Sequence, residues 1–448
     1  MKVVWRNDTG YEELRQSLVW NLRKPPRFPD VIVIAENEDD VVAAVELARD
    51  QHLKIKVRGT GHSRSGSFLR ENGMLLDVSR MNDISIDTSN RTAVIGPGVV
   101  AGRFNPALIE KGLFFPTAHE PEVGLGGYVM AGGIGWVYPR HGLGCANLQA
   151  IDLVTANGEL IHSTDEMNPE YIWAARGAGP GFFGVITQFH LGLHPVPRGI
   201  RISSYAYPMT LWEEVWSWAM EIGPNLPRDV AANIGMPRRA GGPFSNDEPS
   251  VILNATAMSD TDEQAIDALR VFETCPWVDQ ATLRKVAVSQ TVEGLYTWAD
   301  ALQPSGLRYG LDNMWTKAPP DELITQLRST LDQLPNDMSN IHAHLWHHPQ
   351  KIDNAALSDQ GDLLLSLFGM WQSDDDEPKV MSWIVGNLAR MEPLAFGMMI
   401  AEEELILRPR ANILSPENMR LYQKYRQNAD PDGVFHTFPG GVSHGPDE

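Results

Sequence analysis

The chain has 448 residues, 43% hydrophobic and 21% charged, and a formal net charge of −20. That length accommodates two or three domains, and the composition is that of a globular protein, not a disordered one. The charge repels phosphate backbones and anionic lipid, which argues against nucleic acid or a membrane as partner.

Two cysteines, Cys145 and Cys275, allow one disulfide but no disulfide framework. The first residues, "MKVVWRNDTGYEEL", show no apolar core or cleavage site, so no signal peptide and a cytoplasmic location are expected. No apolar run approaches the length of a membrane-spanning helix, about 18 residues.

Residues 29–48 read as a strand followed by a helix. Asn37 is the predicted N-cap, and Val41, Ala44, Val45 and Ala48 fall on one helical face. Leu53, Ile55 and Val57 alternate as a half-buried strand, and "KVRGTGHSRSG" follows it. "GMLLDVS" and "TAVIGPG" are further short strands. Residues 124–144 hold eight glycines. "LQAIDLVTANGELIHS" reads as a hairpin turning at Asn157-Gly158. "NPEYIWAARG" is a short helix with proline at its first position, and "FGVITQFHLGL" a strand.

After residue 195 glycine thins out, and tryptophan and methionine increase. Thr210 and Glu213 stand at capping-box spacing before "LWEEVWSWAMEI", whose tryptophans read as a packed helix face. "SVILNATAM", "IHAHLWHH", "DLLLSLFGMW" and "AFGMMIAEEELI" read as strands, with helices at 263–272 and 320–331. The expected fold is α+β. A glycine-rich unit occupies 1–195, a substrate unit with an antiparallel sheet covered by helices occupies 196–405, and a terminal element occupies 406–448.

The run Gly59-Thr60-Gly61 lets backbone N–H groups converge on an anion, and the later glycine block can also admit a flat ring. This is not the dinucleotide fingerprint, because the loop joins two strands instead of opening the first helix. In "IHAHLWHH", strand alternation puts His342, His344, Trp346 and His348 on one face. Such a face can line a substrate cavity, hold a metal or form a solvated edge. No carboxylate or cysteine cluster stands beside it, and no metal is expected.

The blocks "VRGTGHSRSG", "LLDVSRMNDISID", "VGLGGYVMAGGIGWVYPRHGLGCANLQAIDLVTANGELI" and "WAARGAGPGFFGVIT" occur in the order typical of a known family. They resemble the PCMH-type FAD-linked oxidases of the vanillyl-alcohol-oxidase superfamily, in the berberine-bridge-enzyme-like branch, with bacterial hydroxynicotine oxidases most alike. "NMRLYQKYRQNADPDGVF" resembles the C-terminal element of that branch.

The resemblance implies a two-subdomain FAD-binding domain with FAD joined covalently through His62. It implies FAD contacts from Arg58, Gly59, Thr60, Gly61, Ser63, Gly66, Pro116, Gly124, Gly126, Gly127, Gly132, Gly133, Gly135, Trp136, Gly142, Leu143, Asn147, Gly184 and Val185. Glu120 occupies the place of the cysteine that makes a second flavin link in many relatives, so a single link is expected. Ala146 replaces a common aspartate.

His342, His344 and Tyr128 are the expected catalytic residues, with Tyr138, His141, Tyr309, Glu402 and Glu404 as further polar candidates. Leu125 is an expected oxygen gate. The expected activity is hydride transfer from a small apolar or heterocyclic alcohol, amine or ring C–H substrate, as in secondary metabolism, with O2 reoxidation yielding hydrogen peroxide. A dehydrogenase of the same fold and a flavin-carrying binding protein stay open, as does a homodimer.

Overall fold

In this computed structural model, residues 1–238, 248–303, 306–347, 352–409 and 411–441 are described. Three main sheets organise them. The first has four strands in the order Lys2–Trp5, Val31–Ile34, Met74–Asp77, Ile55–Arg58. Its inner pairs are parallel, and a helix, Glu38–Asp50, makes the crossover. Asn37 caps that helix, its side chain accepting from the Asp40 amide at 2.9 Å. Val41, Ala44, Val45 and Ala48 are the face it buries.

The second sheet is antiparallel, in the order Ile84–Asp87, Thr92–Ile95, Val185–Gly192, Leu148–Val154, Leu160–Ser163. The hairpin between its last two strands differs from the expected two-residue turn. Gly158 alone takes a positive φ, 83°. The Thr155 amide donates to the Glu159 carbonyl at 2.9 Å, closing a three-residue loop with glycine in the left-handed position.

The third sheet has eight strands: Leu283–Ser289, Gly199–Pro208, Ser250–Ser259, Val230–Arg238, Asn340–Leu345, Leu363–Trp371, Arg308–Thr316 and Ala395–Gly397. Helices Trp212–Ile222, Pro320–Asp332 and Glu377–Met391 cover one face, on which Ile341, Ala343, Leu345, Leu365 and Leu367 join Trp216, Leu323 and Leu327 in one core. Each such leucine contributes about 1.5–3 kcal/mol on burial. The opposite face supplies Trp315 and Leu364 to the core of the glycine-rich half. The α+β fold, with its helix-covered antiparallel sheet, is thus as the sequence implies.

Several local expectations fail. Helix Trp212–Ile222 has no side-chain cap, because a 3-10 turn at Met209–Leu211 absorbs Thr210. Glu213 instead pairs with Arg328 at 2.8 Å. A capping box forms at Thr261 and Gln264. Only Ala395–Gly397 of "AFGMMIAEEELI" is strand. Cys145 and Cys275 are both free and buried. Helix Tyr11–Ser17 has no counterpart in the sequence reading.

The last helix, Pro416–Ala429, returns to the first half. Its Tyr422 hydroxyl donates to the Gly181 carbonyl at 2.7 Å, and the Ile55 amide donates to the Val434 carbonyl at 2.7 Å. Among the described residues no helix is long and apolar enough to cross a membrane.

Candidate active site

A cavity lies between the glycine loops and the eight-stranded sheet. Arg58, Gly59, Thr60, Gly61, His62, Ser63, Gly124, Gly126, Gly127 and Gly184 line it, with Tyr128, His344 and Glu402.

Arg58 explains how the first loop is shaped. Its guanidinium donates to the Gly59 and Thr60 carbonyls, both at 2.9 Å, and to Asp77 at 2.8 Å. The Gly61 carbonyl accepts from the Trp20 amide at 3.1 Å. In a trans peptide the N–H points opposite to its own C=O. Tying down the carbonyls of Gly59, Thr60 and Gly61 therefore turns the amides of Thr60, Gly61 and His62 the other way. Three successive amides turned in this way can act as a nest of partial positive charge, which suits a pyrophosphate. Thr60 Oγ1 accepts from the Gly124 amide at 3.0 Å and locks the two glycine loops together.

The second loop supplies a bare wall. A Cβ added at Gly127 would meet nothing within 4 Å, so the wall leaves room for a flat ring. The buried Lys56 side chain lies on the same cavity, its ammonium pushed well below its usual range by burial and by Arg70, so it offers a hydrogen-bonding amine and not a fixed charge. The nest and the bare wall fit FAD.

The remaining expected FAD residues lie off the cavity wall, where they shape it. Gly66 closes the first loop with φ 59°, its amide donating to the Ser63 carbonyl at 3.1 Å. Gly133 gives room to the Tyr128 ring, which an added Cβ would meet at 2.7 Å. Gly132 takes φ 105°, and a Cβ on Gly135 would strike the Thr117 carbonyl at 2.6 Å. Pro116 accepts the Tyr128 hydroxyl at 2.6 Å. Trp136 is buried edge-on to His119, with centroids 4.3 Å apart. Gly142 ends the short helix Tyr138–His141, and Asn147 donates to the Leu143 carbonyl at 2.9 Å and to that of His141 at 3.0 Å. Val185 packs in the core beneath the first sheet. Leu125 is fully buried in the core and absent from the cavity wall, so the structure gives it no place as a gate.

His342 and His344 share the sheet face toward the cavity, with ring centroids 4.8 Å apart, but only His344 reaches the wall. Burial, reinforced by His119, lowers the His344 pKa to about 3. Trp346 follows the end of the strand and stacks on Tyr138 at 3.9 Å. His348 lies outside the described residues. The Tyr128 phenol is buried, with its pKa raised well above the ordinary value, and its hydroxyl is committed to Pro116. Of the other candidates, His141 stacks on His194 at 3.9 Å, Glu404 pairs with Arg23, and Tyr309 lies 5.5 Å from Trp20.

Arg64 and His119 are site residues that the sequence reading did not single out, and Glu120, expected there only in place of a linking cysteine, joins them on the cavity wall. Arg64 lies 3.2 Å from Glu402 and 3.5 Å from Glu120. Burial pushes the Glu120 carboxyl up, but Arg64, His119 and His62 outweigh it and hold the acid below its ordinary value. Burial raises Glu402 despite Arg64. For His62, burial dominates and its pKa falls to about 4, with Glu120 opposing. Asn313 on the sheet positions the Glu402 loop, donating to the Met399 carbonyl and accepting from its amide at 2.9 and 2.7 Å, and donating to the Glu402 carbonyl at 2.6 Å.

Comparison with known proteins agrees with this geometry. Residues 29–164 match the FAD binding domain family. FAD-linked oxidoreductase JanO of Penicillium janthinellum is 28% identical over 440 residues, 96% of each chain. (R)-6-hydroxynicotine oxidase of Paenarthrobacter nicotinovorans is 36% identical over 197 residues, 44% of this chain and 42% of that protein. The solved structure of the berberine-bridge-enzyme-like protein 1 of Physcomitrella patens superposes with a TM-score of 0.82 at 19% identity, covering 99% of this chain and 97% of the other. The fold is therefore that of PCMH-type, berberine-bridge-enzyme-like flavoproteins. The chain is an FAD-linked oxidoreductase.

Proposed function

We propose that the chain is a flavin oxidase acting on a small apolar or heterocyclic alcohol, amine or ring C–H compound, with its FAD joined through His62 alone. The observation that supports this best is the placement of His62 on one cavity wall with the amide nest, opposite His344 and Glu402 of the substrate half. Glu120, unlike the cysteine of many relatives, offers no thiol for a second link.

FAD, when bound, would supply the two-electron acceptor, and its reoxidation by O2 would give hydrogen peroxide. The chain's own residues bind, orient and move a proton. The amides of Thr60, Gly61 and His62 would hold the pyrophosphate, and the bare wall at Gly127 would accommodate the rings. The apolar side chains of Leu364, Met399 and Ile400 line the substrate side and exclude water. His344 Nδ1 or Nε2, neutral at working pH, accepts the hydroxyl or amine proton of the substrate as its C–H hydride departs. Arg64 holds Glu120 and Glu402 in place beside it.

The test is an absorbance spectrum of acid-denatured protein with peptide mass mapping. The expected result is flavin retained on the peptide bearing His62 and on no other. A colourless precipitate with an unmodified peptide would remove the linkage. Stopped-flow reoxidation in air separates the readings of the reaction: fast return of the flavin band supports the oxidase, and slow return a dehydrogenase with another acceptor.

A further inference from the structure

Three side chains outside the cavity converge on one point. Asp152, His162 and His190 come from the strands Leu148–Val154, Leu160–Ser163 and Val185–Gly192, which are neighbours in the second sheet. Alternation separates them from the flavin side. Ile151, Leu153, Phe189 and Leu191 point into the core, and Ile186 and Phe189 reach the cavity wall. Asp152 and His190 take the opposite face. Asp152 Oδ1 lies 2.6 Å from His162 Nδ1, and Oδ2 lies 2.7 Å from His190 Nε2. The three ligand atoms all fall within 4.8 Å of one another. The side chains are part-exposed, at 21%, 39% and 28% for Asp152, His162 and His190, so an ion can enter from solvent.

We propose that Asp152, His162 and His190 form a three-ligand site for a divalent transition metal of the zinc type. Two imidazoles and one carboxylate suit Zn2+, whereas Mg2+ and Ca2+ prefer all-oxygen sets. Metal–ligand bonds of about 2.0–2.2 Å require ligand atoms roughly 3.3 Å apart. The two carboxylate contacts open slightly, and the two imidazoles close toward each other. Side-chain rotation on a part-exposed face achieves both without disturbing the core. A ring nitrogen must be free of its proton to ligate the ion, so any proton on the nitrogen facing Asp152 passes to the ring's other nitrogen or to solvent on coordination, and water completes the coordination. The bound ion would staple three strands behind the wall that carries Ile186 and Phe189.

The test is calorimetric titration of chelator-treated, untagged, FAD-loaded full-length protein with ZnCl2, alongside the His162→Gln/His190→Gln double variant and Asp152→Asn. The wild type is expected to bind one Zn2+ with micromolar affinity and to melt at a higher temperature when it does. The double variant is expected to lose affinity at least tenfold, and Asp152→Asn to weaken it, with flavin absorbance unchanged in both. Absence of binding to the wild type, or equal binding by the wild type and a normally flavinylated double variant, would overturn the site.

Discussion

Trp20 lies stacked on His62, ring centroids 4.2 Å apart and planes inclined by 25°. The Trp20 amide also holds the Gly61 carbonyl, and its indole N–H donates to Glu122 at 3.0 Å. One residue therefore fixes both the backbone of the nest and the face of the imidazole. A stacked pair contributes about 0.5–1.5 kcal/mol beyond area burial. Trp20→Ala is expected to leave a folded protein in which flavin attachment is slow and incomplete, with Trp20→Phe restoring most of it. The ratio of flavin to protein in the acid precipitate measures this. Full attachment in Trp20→Ala would show that the stack does not orient His62.

The Gly127 wall gives a second prediction. Its backbone is helical, and an added side chain meets no protein atom. Replacing a helical glycine by leucine stabilises a helix by up to about 1 kcal/mol. Gly127→Leu should therefore fold at least as well as wild type while its side chain fills the space kept for the flavin ring. Flavin content is expected to fall about tenfold or more, with the melting temperature of the flavin-free protein unchanged or raised. Normal flavin loading would place the ring elsewhere.

The sequence disclosed the elements that local rules govern. Asn37, the apolar face of its helix and the strand alternation at His342 and His344 all follow from spacing of 3.6 or 2 residues. The glycine blocks disclosed the cofactor half, because bare backbone is itself the signal. The arrangement of Arg64 between Glu120 and Glu402 was not legible, since those residues are 56 and 338 positions away along the chain. Trp20 was equally hidden, in a segment without periodicity. The segment after Gly397 read as a strand from its apolar composition. Asn313 bonds that backbone instead and bends it toward the cavity, a tertiary contact that overrides propensity.

His344 is the group expected to handle the substrate proton. Its enclosure beside His119 keeps the imidazole neutral but makes it a weak base, so it takes the proton only in concert with hydride departure and not in a separate step before it. His344→Gln retains a polar side chain of similar reach but removes the basic nitrogen. General-base contributions run about 100- to 10,000-fold. The rate of flavin reduction under anaerobic conditions should fall by about that range at saturating substrate, with KM changed much less. A loss confined to KM would make His344 a binding residue only.

Acid stability offers the last test. Burial, aided by Arg70 and Lys56, lowers the His436 pKa to about 3 from an ordinary 6.5. Between these values the unfolded chain takes up a proton that the folded chain refuses. The contribution is therefore complete above pH 6.5 and is lost as pH falls toward 3. His141 and His344, each lowered to about 3, act in the same sense, whereas Glu404, raised from 4.5 to about 8 mainly by burial, acts in the opposite sense between those values. The comparison of wild type with His436→Gln cancels these shared terms. Above pH 6.5 the stability difference should stay constant. Below it the variant should gain on the wild type by up to about 1.4 kcal/mol per pH unit. Chemical denaturation of both proteins from pH 8 to pH 4 measures the difference. A difference independent of pH would mean that His436 titrates alike in both states and that the terminal element does not seal it from water.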